Sequence, residues 1–184
     1  MMKLFMVMLG CKPKGRLTEQ HDVYFGIAKN LKELVPYFKD FWPESEGVIH
    51  IDAWREVTKV NDFSIEIMER TKSKKADKKL FFINLGGYKI NQFDEFHYKV
   101  LEVAASKTEA IAGAKKTSFF KDYHFKGGES HIDDKYGLDI DDVFSIEDAL
   151  DERFKKKYKI IMKTNKALKD DELHVGYVNL KKLK

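Results

Sequence analysis

Lys3-Leu4-Phe5-Met6-Val7-Met8-Leu9-Gly10 recurs 76 residues further along the chain as Lys79-Leu80-Phe81-Phe82-Ile83-Asn84-Leu85-Gly86. Each copy is an apolar run closed by glycine, the pattern of a buried strand that ends at a glycine turn. The register persists beyond the strand. Glu19 maps to Glu95, His21 to His97, Ala28 to Ala104, Asn30 to Ser106 and Glu33 to Glu109. The last two pairs are capping boxes, in which a short polar side chain accepts from a free helix N–H and the Glu reaches back to the cap. After the helix the shift becomes 81, so that His50-Ile51-Asp52 corresponds to His131-Ile132-Asp133. That slip falls in a loop, where insertions are tolerated. An ordered series of this kind reads as an internal duplication.

The pattern predicts an α+β protein built from two β-β-α-β-β units, with mostly antiparallel sheet, one helix per repeat and an extra helix in the second half. Residues 1–70 form the first unit, the charged stretch 71–78 a linker, and 79–184 the second unit with an acidic insertion. Pro36 would break a helix begun at Leu31 and could open a second turn of its own. Val48–Val57 with Phe63–Met68, and Tyr158–Lys163 with Val175–Leu180, are expected to form hairpins.

Composition narrows the functional classes. The chain has 184 residues, 43% hydrophobic and 35% charged, with 34 Lys+Arg against 30 Asp+Glu and a net charge of +4. No apolar run approaches the ~18 residues of a membrane span, so no membrane association is expected. Met8-Leu9-Gly10-Cys11 resembles a lipoprotein cleavage site, but its apolar run is shorter than a secretory core and recurs internally. The single Cys fits a reduced, cytoplasmic protein. Glu129–Glu152 carries ten acids against Lys135, offset by lysines elsewhere. Its Asp139-Ile140-Asp141-Asp142 lacks the alternation of a calcium loop, and the stretch reads as a solvated acidic face. The few arginines, Arg16, Arg55, Arg70 and Arg153, argue against nucleic-acid recognition, which favours Arg.

Glu19-x-His21 with His50-x-Asp52, and Glu95-x-His97 with His131-x-Asp133, are the residues able to carry chemistry. Imidazole with carboxylate suits a metal ligand set, or a general base and its orienting acid. The helical spacing that marks a strong metal motif is missing, so no metal and no cofactor is assigned. The candidate ligand-binding residues are therefore Glu19, His21, Asp22, His50, Asp52, Trp54, Glu95, His97, His131, Asp133 and Tyr136, with catalytic residues unassigned. Cys11 follows Gly10, but Gly87 stands in the matching place, so the thiol reads as a passive small residue.

Gly15-Arg16-x-x-Glu19-Gln20-His21-Asp22, His50-Ile51-Asp52-Ala53-Trp54-Arg55-Glu56-Val57 and Ser130-His131-Ile132-Asp133-Asp134-Lys135-Tyr136-Gly137 resemble a family of small bacterial proteins known only as a domain of unknown function. The resemblance covers most of the chain. It implies a bacterial cytosolic protein without an established activity, and it contributes no catalytic residues. The leading expectation is a non-catalytic module binding a small molecule or a protein, with a homodimer left open. The alternatives are a metal-dependent or acid–base hydrolase-like enzyme using the repeated histidines and carboxylates, and a nucleic-acid-associated protein.

Overall fold

The computed structural model describes residues 1–70, 77–132 and 143–183. The elements in chain order are β1 (Lys3–Cys11), β2 (Gln20–Ala28), α1 (Val35–Phe41), β3 (His50–Glu56), β4 (Lys59–Val60) and β5 (Phe63–Glu69). They continue with β6 (Lys79–Gly87), β7 (Phe96–Ala104), α2 (Lys107–Ala114), α3 (Ser118–Asp122), β8 (His131–Ile132) and β9 (Val143–Ser145). The last are α4 (Ile146–Ala149), α5 (Glu152–Lys157), β10 (Tyr158–Thr164) and β11 (His174–Asn179). The paired strands run antiparallel, and the protein is α+β. Among the described residues, no helix is long and apolar enough to cross a membrane.

Two compact units divide the chain: Met1–Thr71 together with Leu150–Lys184, and Lys72–Ala149. The first holds a four-stranded sheet in the order β11-β3-β1-β2 and a three-stranded sheet β10-β5-β4. β1 is central because its side chains are apolar on both faces, and Leu4, Phe5, Val7 and Leu9 are all buried. After β2, Asn30 caps a 3-10 turn over Leu31–Leu34 by accepting from Glu33 N–H, while Glu33 accepts from Lys29 N–H. Pro36 then stands in the first turn of α1, where its missing donor is not needed. Leu34 and Phe38 are completely buried, each contributing about 1.5–3 kcal/mol by leaving water.

The second unit repeats this beginning. β6 pairs with β7 from Lys79↔Ala104 to Gly87↔Phe96, as β1 pairs with β2 from Lys3↔Ala28 to Cys11↔Gln20. Ser106 caps α2 through Glu109 N–H, and Glu109 accepts from Ala105 N–H. Ala110 and Ala114 of α2 pack with Phe81, Ile83, Leu85, Val100 and Phe119 in that unit's core. Phe119 therefore serves packing.

Neither expected hairpin forms. β3 pairs with β1 and β11, while β5 pairs with β4 and β10. Sequence proximity loses to edge burial here: β10 lies along the whole of β5, with Ile160 opposite Ile67 and Met162 opposite Ile65. Residues 150–184, read from the sequence as the tail of the second half, thus pack with the first unit.

The segment before β11 is latched by one carboxylate. Asp171, with its side chain 1% exposed, accepts through Oδ1 from Thr58 N, Thr58 Oγ1 and Lys59 N at 3.0, 2.6 and 3.1 Å. Asp171→Ala leaves those donors without their acceptor and is expected to lower stability by about 1–3 kcal/mol in urea unfolding. A midpoint equal to that of the parent protein would contradict this role.

Candidate functional site

Gly10 faces a histidine on each side. It lies opposite His21 of β2 and opposite His50 of β3. Directly opposed residues of an antiparallel sheet project from the same face, so both imidazoles rise where Gly10 has no side chain. A Cβ on Gly10 would stand 2.3 Å from Asp52 Oδ2 and 2.4 Å from His50 Nε2. The strand therefore continues through Gly10 to Cys11, rather than ending there in the glycine turn expected from sequence. The glycine is needed for the space above it.

A β-bulge supplies the first carboxylate. β1 pairs Leu9 with Ile51 and Met8 with Ala53, which leaves Asp52 as the extra residue of β3. Bulges re-aim side chains, and this one brings Asp52 Oδ2 within 3.2 Å of Nε2 of both His21 and His50. Glu19, at the mouth of β2, places Oε1 3.0 Å from His50 Nε2 and Oε2 3.8 Å from His21 Nε2. Among the described residues no hydrogen-bond donor is aligned on the buried Asp52 Oδ2. Two carboxylates and two imidazoles thus crowd one small area, with His50 mostly covered and His21 and Glu19 44% exposed. Tyr177 of β11 leans on His50 with ring centroids 4.6 Å apart. Among the described residues no group of three or more His, Cys, Asp or Glu is disposed to hold a metal ion.

Other candidates stand apart from this cluster. Asp22 projects from the opposite face to His21 and accepts from Val23 N–H at 2.7 Å. Trp54 stacks on His174 with centroids 3.8 Å apart and planes 9° from parallel. In the second unit Gly86 again lies between two histidines, His97 and His131, in the backbone register. There Tyr88 donates to Glu95 at 2.5 Å, Glu95 lies 3.7 Å from His97, and Asn84 lies 3.3 Å from His97 Nδ1. Asn84 and Tyr88 occupy the places of Met8 and Lys12. Asp133 and Tyr136 lie outside the described residues.

Cys11, next to Gly10, is buried. Burial, followed by the negative charges of Glu19 and Glu44, pushes its thiol above the ordinary value of 9.0. That is the reverse of what an activated nucleophile needs, and it agrees with a passive residue. Burial likewise raises the Tyr24 hydroxyl.

Residues 16–67 match a family model described as Domain of Unknown Function (DUF1543). The matched stretch contains Glu19, His21, His50 and Asp52, and its description names no activity. No curated protein matches the chain. Among solved structures, the chain is similar to the crystal structure of a protein Il1583 from Idiomarina loihiensis, at 17% identity, with a TM-score of 0.54 and 96% of each chain covered. At that identity the likeness concerns the fold.

Two outcomes follow from this geometry. Gly10→Ala forces Asp52 and His50 aside, and is expected to cost about 1–3 kcal/mol in denaturant unfolding while shifting the His50 imidazole resonances. The pH dependence has a definite sign as well. With its pKa raised by folding, Cys11 keeps its proton longer in the native state than in the unfolded chain. Its contribution is intact below pH 9.0 and is lost as pH rises toward the folded value. Cys11→Ala should flatten the alkaline fall in stability measured above pH 9.0, the Tyr24 part remaining.

Proposed function

We propose that the protein is a small-ligand binding module whose centre is the Gly10–Glu19–His21–His50–Asp52 cluster, and that its ligand carries an ammonium group. The observation that carries this reading is the convergence of two carboxylates on two imidazoles, with Asp52 Oδ2 unsatisfied between them. A buried acceptor without a donor is costly, and an ammonium brings three donors and no acceptor. A ring nitrogen of an imidazole can accept as well, and Tyr177 adds an aromatic ring beside His50 at the shoulder of the site. The matching strand registers of the two units support descent from one duplicated unit. The second copy, with Tyr88 and Asn84 on Glu95 and His97, fits a structural role. A second reading, an acid–base centre, is favoured by Asp52 Oδ2 standing 3.2 Å from the half-exposed His21, as an orienting carboxylate stands behind a general base.

Isothermal titration with spermidine, with inorganic phosphate as the anionic comparator, tests the binding reading. Spermidine should bind and move the His21 and His50 imidazole resonances. Glu19→Gln and Asp52→Asn should each weaken it about tenfold, the scale of a lost charged hydrogen bond. Binding that is equal in both variants, or a response to phosphate alone, would overturn the assignment.

A further inference from the structure

On the sheet face that carries the cluster, the neighbouring row of side chains is apolar across all four strands. Met8 lies directly opposite Val23 of β2 and Ala53 of β3, and Ala53 lies opposite Val175 of β11. Side chains alternate along a strand, so Met8 shares its face with Gly10. The row stands about 7 Å, two strand residues, from the line His21–Gly10–His50. On the other face Val7, Leu9 and Ile51 are fully buried. The Met8 row is not closed in that way: Val23, Met8 and Ala53 are half-buried, and Val175 is 80% exposed. Antiparallel sheets with one packed face ordinarily turn polar side chains to the other.

The frame does not impose this apolar row. In the second unit the strands pair in the same register, and the places of Met8 and Val23 hold Asn84 and Lys99, again directly opposite each other. An amide and an ammonium are accepted there, where the first unit keeps a thioether and an isopropyl group. The apolar row accompanies the unit in which Asp52 Oδ2 stands between two imidazoles without an aligned donor among the described residues. One ligand accounts for both features if it is charged at one end and apolar along its body.

We infer that the ligand is an amphiphilic amine: a single ammonium seated at Asp52 and Glu19, with an apolar body lying over Met8, Val23, Ala53 and Val175. This rests on the ammonium reading above and names the class of molecule that the site takes. Covering the row removes apolar surface from water on both partners, whereas a wholly polar amine leaves it wet.

Isothermal titration of the full chain with butylamine, hexylamine and octylamine, with hexanol and hexanoate as comparators, tests this. Affinity should rise about twofold to fourfold per methylene, the scale of a buried CH2. Hexanol and hexanoate should bind at least about tenfold more weakly than hexylamine, lacking the charged donors. Hexylamine should also move the Met8 methyl resonance. Met8→Asn, which installs the residue of the second unit, and Val175→Thr, at an exposed position, should each flatten the dependence on chain length. Circular dichroism and thermal unfolding equal to the parent's show that each variant is folded. If spermidine binds but affinity is indifferent to chain length, the amphiphile is overturned and the ammonium reading stands. A chain-length dependence that both variants keep, or that leaves the Met8 methyl unmoved, overturns the amphiphile as well. Failure of spermidine and of every alkylamine to bind overturns both.

Discussion

The absence of one side chain organises the candidate site. Gly10 lies in the central strand of its sheet, with a histidine directly opposite on either side, and no Cβ fits above it. Had β1 carried any larger residue there, His50 and Asp52 could not both occupy their positions. The strand itself is held by burial of Leu4, Phe5, Val7 and Leu9, so the platform for the site is the most apolar element of the unit. The bulge at Asp52 then adds the charge that distinguishes this face from an ordinary sheet surface.

The second unit shows how the same frame can be closed off. Gly86 keeps two opposed histidines in its register, yet Asn84 and Tyr88 stand where the first unit has Met8 and Lys12. A phenol donates to Glu95 and an amide stands beside His97, whereas the counterparts Glu19 and His21 lie against His50 and Asp52. Over the described residues the two units share the strand register, Gly10 lying opposite His21 and His50 as Gly86 lies opposite His97 and His131.

Much of this was legible locally. The repeated apolar strands, the Asn30 and Ser106 caps and the opening of α1 at Pro36 depend on contacts a few residues long and form as the sequence implies, although each Glu reaches the residue before its cap, Lys29 or Ala105. Glu19, His21, His50 and Asp52 were all candidates from their residue types. Gly10 was not, because a glycine needed for space and a glycine needed for a turn look alike in one dimension. Tyr177 carried no signal at all, lying 127 residues beyond His50 along the chain. Asp22 and Trp54, neighbours of site residues in sequence, diverge from them through strand alternation and a stacking partner on another strand.

The sequence by itself determined the α+β class, the caps and the two strand–loop–strand–helix beginnings, because short-range hydrogen bonding and hydrophobic periodicity act within one element or its neighbour. Only the tertiary structure decided which strands share an edge. Tyr158–Thr164 and His174–Asn179 do not pair with each other; they pair with β5 and β3. The same long-range pairing brings Tyr177 to His50 and sets Asp52 out of register beneath two imidazoles. Pairing partners far apart in the chain compete on buried area and register, and local propensity does not encode the outcome.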